Sequence, residues 1–152
     1  MPLPDHARCR IVLSDPALPD DQLASALDKL FTQFAREQRC DAWSCTRELD
    51  GAVLVLAWTP DVSLSGCSHD KINGVLAAHE RGVHRLLAPP PLCIQIEGRW
   101  RCVDRRELRR LATGTTGLID HRIEQLGAWR SRGVTTVGAS WAAGLLNNPT
   151  AA

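Results

Sequence analysis

The chain has 152 residues, of which 44% are hydrophobic and 23% charged, and its 18 basic and 17 acidic side chains leave a formal charge of +1. A chain of this length can bury most of its unfolded surface in one core, so we expect a single domain over residues 1–146 and a loose tail over residues 147–152. The composition excludes a fibrous or wholly disordered chain, and the near-zero charge excludes a whole-molecule field that would steer the protein to nucleic acid or a membrane.

The sequence shows neither a secretory signal nor a membrane helix, and this predicts where the protein is located. The amino terminus, MPLPDHARCR, has no apolar segment of the kind a secretory signal needs, and no stretch approaches the ~20 apolar residues of a membrane helix. We therefore expect a soluble, cytoplasmic protein without a membrane partner. The six cysteines include no CxxC pair, so the sequence predicts free thiols, no metal site and no cofactor.

The first third of the chain predicts a strand, a helix and a hairpin. Residues 8–13, RCRIVL, are typical of a short strand, and apolar side chains recur at helical spacing over residues 23–34. A hairpin follows, with Asp50 and Gly51 suited to its turn. Residues 52–58, AVLVLAW, lack polar alternation and therefore predict a central strand buried on both faces.

The register of this hairpin places Trp43 opposite Trp58 as a cross-strand pair. After it, helical spacing predicts a second helix that begins near Cys67 or Ser68. Three prolines at residues 89–91 should end that helix.

A second hairpin is predicted by the segment PLCIQIEGRWRCVD. Its turn at Glu97 and Gly98 places Cys93 opposite Cys102, either as a redox pair or as two small core residues. The following DRREL is typical of a capped helix start and predicts a third helix over residues 105–112.

The predicted order is strand, helix, strand, strand, helix, strand, which is the order of a ferredoxin-like βαββαβ sandwich. We therefore expect an α+β fold in which two helices cover one face of an antiparallel sheet. Residues 113–146 predict a C-terminal α/β extension, in which TTGLIDHRI is extended and IEQLGAWR forms a helical turn or two.

Two motifs carry a resemblance to a known family. The segment SGCSHD, residues 65–70, matches an SGCSxD motif, and TTGLIDHRIEQLG is followed by the pair Ser140 and Trp141. In these features the chain resembles a family of small bacterial proteins of unknown function, common in Bacteroidetes-type genomes and often labelled "ABC transporter ATPase". The chain has no GxxxxGK[ST] loop to hold phosphates, so an ATPase is not expected. It also carries Ala142 where the family pattern has histidine.

The SGCSHD segment is the candidate functional site. Cys67 is expected at a helix start, where backbone N–H groups and the helix dipole favour a thiolate. Asp70 would accept from the N–H of Cys67, and Gly66 would allow a close approach to the helix. Ser65 and Ser68 would add hydroxyl groups.

The preferred function is a cytoplasmic binding or regulatory module that recognises an unknown small anion or a protein at this helix start. An alternative is a thiol enzyme in which Cys67 is the nucleophile, Asp70 holds the site and His69 handles the proton. An ordinary helix start prefers the same residue types, so a purely structural role stays open.

A second alternative is a nucleic-acid interface around the second hairpin and third helix. Its residues are Arg99, Trp100, Arg101, Arg105, Arg106, Arg109 and Arg110. Cations beside an aromatic face bind single strands, but Asp104 and Glu107 lie among these arginines and favour a solvated, ion-paired helix face. Nucleic acid is therefore the least favoured partner. The edge strands leave open a homodimer formed by sheet pairing.

Overall fold

The computed structural model describes residues 2–80, 86 and 92–146, which form seven strands and four α-helices. The strands are β1 (Arg8–Leu13), β2 (Ala42–Glu48), β3 (Val53–Thr59), β4 (Leu92–Ile96), β5 (Arg99–Val103), β6 (Gly117–Ile119) and β7 (Val134–Thr136). The helices are α1 (Gln22–Arg36), α2 (Gly66–His79), α3 (Arg105–Leu111) and α4 (Leu126–Arg132).

The strands form two antiparallel sheets, in the orders β1-β3-β2 and β5-β4-β6-β7. The α+β class is confirmed. The ferredoxin-like arrangement is not confirmed, because β4 pairs with β5 and β6 instead of joining β1. The segment after β6 pairs with the edge of β1. The N–H of Cys9 donates to the Glu124 carbonyl at 2.9 Å, and the backbones of Arg8 and Gln125 form an isolated antiparallel β-bridge. A homodimer by sheet pairing would therefore need the edge of β2, β5 or β7.

The two sheets stack face to face, and helices cover their outer faces. Side chains of β3 alternate between two cores, so that Leu54 and Leu56 pack with α1 and α2 whereas Val53 and Val55 pack against the second sheet. A third core lies between the second sheet and α3. The prediction that β3 is a central strand buried on both faces is confirmed.

The first hairpin has the predicted register but a wider turn. Trp43 lies opposite Trp58 as expected. The turn occupies Leu49–Gly51, and all three residues have positive φ. Glycine is required at position 51, because φ is 89° and a Cβ there would collide with the backbone of Leu18.

The second hairpin turns at Glu97 and Gly98, as predicted, and both residues have positive φ. Cys93 and Cys102 lie directly opposite each other as free, buried thiols. A hydrogen bond to Cys102, together with burial, raises the pKa of Cys93. The two thiols therefore pack as small core residues in this state.

The second helix begins and ends earlier than predicted. It starts at Gly66, with Ser65 as its N-cap, and ends at His79 because Glu80 takes an extended conformation. The predicted continuation to the prolines at residues 89–91 lies outside the described residues.

The C-terminal segment is part of the second sheet and not an appended extension. Its extended portion forms β6, which inserts between β4 and β7, and its helical portion forms α4. Trp129 ties α4 to the first sheet, because its indole N–H donates to the Glu48 carboxylate at 3.1 Å. The predicted tail at residues 147–152 lies outside the described residues. Across the described part of the chain, no helix combines the length and apolarity needed to cross a bilayer.

Candidate functional site

The SGCSHD segment forms the N-cap and first turns of α2. The Ser65 hydroxyl accepts a hydrogen bond from the N–H of Ser68 at 3.1 Å, which caps the helix. The Ser68 side chain is fully buried and accepts from the Arg39 guanidinium at 2.9 Å. These contacts fasten the start of α2 to the segment after α1, so Ser65 and Ser68 have structural roles.

Two details of the predicted helix start are not observed. Among the hydrogen bonds of the described residues, none joins Asp70 to the N–H of Cys67, because the helix begins earlier and Ser65 supplies its cap. Gly66 does not serve a close approach either, since an added Cβ would meet no atom within 4 Å.

We expect the substitution Gly66→Ala to raise the free energy of unfolding by about 0.5–1 kcal/mol, because alanine restricts the unfolded chain and its methyl group has room at this position. Urea denaturation would measure the change. Gly133→Ala is the contrasting control and should destabilise the protein, since its Cβ would collide with the Trp129 ring. A loss of stability in Gly66→Ala would show that the helix start requires glycine.

The Cys67 thiol is exposed at the second residue of α2 and is not among the residues that line the cavities beside this helix. The His69 ring instead contacts Arg10 on β1, and its Nδ1 lies 3.4 Å from the guanidinium Nη1. Within the described residues no hydrogen bond joins Cys67 to His69. The structure therefore does not assemble the thiol and imidazole of the enzyme hypothesis into a pair.

We expect Cys67 to be the thiol that reacts fastest with a disulfide reagent in the native protein. It is exposed, whereas burial raises the pKa of Cys9 to about 11 and that of Cys45 to about 12, so these thiols are protonated at neutral pH. Cys67→Ser should remove the fast phase, and a fast phase that survives this change would contradict the assignment. The enzyme hypothesis further requires fast labelling well below the pH at which free cysteine reacts.

A polar groove lies between β1, the first turns of α2 and the segment that joins β6 to α4. It consists of an inner cavity of about 360 Å³ and an outer cavity of about 620 Å³. The walls shared by both cavities are Arg8, Arg122, Ile123 and Glu124. The inner cavity is further lined by Arg10, Trp58, Ser63, His69 and His121, and the outer cavity by Asp61, Asp120, Gln125, Arg132 and Trp141.

Arg10 is the central cation of the inner cavity. It is half-buried on β1, where Nη2 donates to the Asn73 amide oxygen at 2.7 Å. Its other contact is to His69 and, because a guanidinium only donates, the His69 Nδ1 accepts. Burial lowers the pKa of Arg10, and no carboxylate of the described residues lies within ion-pair distance. A buried charge normally has such a partner, so this guanidinium lacks a counterion within the described part of the chain.

Two histidines line the same cavity as this cation. Burial lowers the pKa values of His69 and His121, so both rings are neutral near pH 7. The Nδ1 of His121 is buried, and it has no hydrogen-bond partner among the described residues. Buried polar groups are nearly always paired, so a ligand in this cavity could supply a hydrogen-bond partner for the His121 nitrogen and a counterion for the Arg10 guanidinium.

The second arginine of β1, Arg8, lines both cavities and is ion-paired. Arg8 donates to the Ser63 hydroxyl at 3.0 Å and to the Glu124 carboxylate at 3.1 Å, and it lies 3.9 Å from Asp61. Because carboxylates already balance its charge, Arg8 differs from Arg10. Of the two arginines that β1 contributes to the groove, Arg10 is therefore the one without a carboxylate partner among the described residues.

Of the residues predicted for the site, only His69 lines the groove. The sequence reasoning missed Arg10, His121, Arg122 and Trp141. The last three lie in the two C-terminal stretches singled out for their resemblance, but the sequence assigned them no role. The signal for Arg10 was the Arg-x-Arg alternation of RCRIVL, which places two cations on one face of a strand.

The arginines of the nucleic-acid hypothesis do form an exposed surface. Asp104 and Glu107 are engaged in the capping box of α3, with hydrogen bonds of 2.8 and 3.4 Å, and no described carboxylate forms an ion pair with these arginines. The ion-paired face is therefore not observed. Trp100, however, packs on the core between the sheets, on the opposite side of β5 from Arg99 and Arg101. The expected aromatic platform does not face the arginines.

No family model, curated protein or solved structure matches this chain. The resemblance carried by the SGCSxD motif therefore stays a prediction, and the function must be argued from the site. Within the described residues, no group of three or more His, Cys, Asp or Glu side chains is placed to hold a metal ion.

Proposed function

We propose that this protein is a binding module for a small anionic ligand, held in the inner cavity by Arg10. The observation that carries the proposal is a half-buried guanidinium that lines a cavity of about 360 Å³ and has no described carboxylate partner. Two of its N–H donors are engaged by Asn73 and His69 within the described residues. The other donors suit a phosphate, sulfate or carboxylate group, which a planar guanidinium binds through charge-assisted hydrogen bonds.

The proposed function belongs to the class expected from the sequence, a cytoplasmic binding or regulatory module. The proposed ligand site, however, is not the one that the sequence predicted. The sequence pointed to the Cys67 helix start, whereas the cavity lies beside His69 and is completed by β1 and the segment before α4. The helix start contributes through His69, whose ring packs against Trp58 with 6.4 Å between centroids. Cys67 is not required for this function.

The test is isothermal titration of the full chain with sulfate and with inorganic phosphate at constant ionic strength, with chloride as the balancing anion. We expect one saturable site with a dissociation constant at or below about 1 mM, which corresponds to about 4 kcal/mol. Heats that never saturate, or that depend on ionic strength alone, would overturn the proposal.

We expect the affinity for sulfate to increase as the pH falls from about 8 to about 6. Both cavity histidines are neutral near pH 7, and a bound anion favours the protonated imidazole, so ligand binding should take up protons. The charged groups that face them are Arg10 and Asp70 at His69, Asp120 and Arg122 at His121, and Arg8 and Glu124 in the shared wall. Of these, Arg10 and Arg122 oppose protonation, whereas Asp70 and Asp120 favour it.

Sulfate is the suitable probe because its own charge does not change over this pH range. Titrations in two buffers of different ionisation enthalpy would count the protons taken up. His121→Gln should reduce that number while keeping a polar side chain in the cavity. An affinity that is flat with pH would mean that the histidines do not contact the anion.

A further inference from the structure

The outer cavity offers a planar surface. Trp141 is 38% exposed, although tryptophan is usually covered, and its ring lines this cavity. The Arg122 guanidinium lies 4.9 Å from the ring centroid, and the His121 ring meets it edge-on at 6.1 Å between centroids. These two contacts hold the indole in place. A fixed, exposed indole beside a guanidinium is a stacking surface for another planar ring.

The polar groups of the outer cavity are balanced in charge, unlike those of the inner one. Its lining contains the three arginines Arg8, Arg122 and Arg132 and the three carboxylates Asp61, Asp120 and Glu124. A second anionic group would gain little here. Closely spaced donors and acceptors, with the amide of Gln125, instead suit the edge of a heterocycle, which carries both kinds of group.

The two cavities are adjacent, because the same four residues line both of them. His121 lines the inner cavity and also contacts the Trp141 ring, so one side chain separates the anion site from the stacking surface. The Trp141 ring therefore lies beside the cavity that holds the anion.

We infer that the ligand is an anion joined to a planar heterocycle, with a nucleoside monophosphate as the representative of this class. The inference rests on the proposed function. The phosphate binds Arg10 in the inner cavity, and the base stacks on Trp141 in the outer cavity. The sugar lies between the two groups, along the residues that line both cavities.

The experiment compares inorganic phosphate, ribose 5-phosphate and adenosine monophosphate by isothermal titration of the full chain. Adenosine monophosphate should bind at least about fivefold more tightly than the two ligands without a base, which is the low end of what one stacked base contributes. In Trp141→Ala, adenosine monophosphate and ribose 5-phosphate should bind with equal affinity, so that no gain from the base remains. Trp100→Phe is the matched control, because Trp100 lies outside the groove, and it should change neither affinity.

The outcomes separate this inference from the function on which it rests. Equal affinities for phosphate and adenosine monophosphate would overturn the heterocycle and leave the anion site standing. Tighter nucleotide binding that persists in Trp141→Ala would overturn the placement of the ring. Binding of none of the three ligands would overturn the proposed function itself. Because Trp141 is exposed, the alanine variant should fold, and Trp141→Phe, which keeps a smaller ring, should have intermediate affinity.

Discussion

Replacing Arg10 by methionine should abolish measurable anion binding while leaving the fold about as stable as before. A charge-assisted hydrogen bond contributes about 1.5–3 kcal/mol, so the loss of even one lowers affinity by at least about tenfold. Stability responds differently because the guanidinium is half-buried and no carboxylate of residues 2–80, 86 or 92–146 pairs with it, and this burial costs free energy in the unliganded protein. Methionine fills similar space without a charge. We therefore expect the free energy of unfolding to change by less than about 1 kcal/mol.

Two variants make this result specific. Arg10→Lys keeps the charge but loses the planar fork, so it should retain only part of the affinity. Arg36→Met removes an exposed arginine in the last turn of α1 and should bind anions like the parent chain. Titration with sulfate measures all three, and urea denaturation gives their stabilities. Undiminished binding by Arg10→Met would remove the basis of the proposed function.

The largest loss of stability is expected from Trp58→Ala, at about 3–5 kcal/mol. Trp58 is 2% exposed at the end of β3, and its ring centroid lies 6.0 Å from that of Phe31. Its indole N–H donates to the Val62 carbonyl at 2.8 Å. Alanine would leave a cavity and an unpaired carbonyl at the point where the sheet meets α1 and α2. Urea denaturation would measure the loss.

The control for this change is Trp43→Ala, which removes the cross-strand partner. Trp43 is half-buried, and its indole N–H bonds to the exposed Asp28, so the loss should be clearly smaller. Trp58→Phe should keep most of the stability yet weaken sulfate binding, because the edge of the His69 ring packs against Trp58. If Trp43→Ala lost as much stability as Trp58→Ala, both members of the cross-strand pair would contribute equally to stability.

Local patterns in the sequence predicted the local elements well. Both hairpin registers follow from turn residues that accept positive φ, and the burial of β3 follows from an unbroken apolar run. The partner of β4 could not be predicted this way. Its apolar residues are compatible with pairing beside β1 or beside β6, and only the long-range placement of residues 117–126 decides between them.

The candidate site was predicted less well because its parts are far apart in the chain. Arg10, His69, His121 and Trp141 come from four separate segments, and no short motif contains two of them. The predicted start of α2 was too late because Ser65, Cys67 and Ser68 are all acceptable near a helix N-terminus. Only the buried hydrogen bond from Arg39 to Ser68 distinguishes their roles. The feature that distinguishes Arg10 is that none of the carboxylates described in the structure pairs with it, and the local sequence does not contain that information.

The backbone ladder between β1 and the segment before α4 affects how a ligand would associate. Hydrogen bonds from Cys9 to Glu124 and from Leu126 to Ala7, at 2.9 and 2.8 Å, join the two segments next to Arg10 on one side and next to His121 and Arg122 on the other. The walls of the groove are thus preorganised, and little chain entropy remains to be lost on complex formation. Association should then follow a single exponential at a rate set by diffusion and charge, without a slow isomerisation.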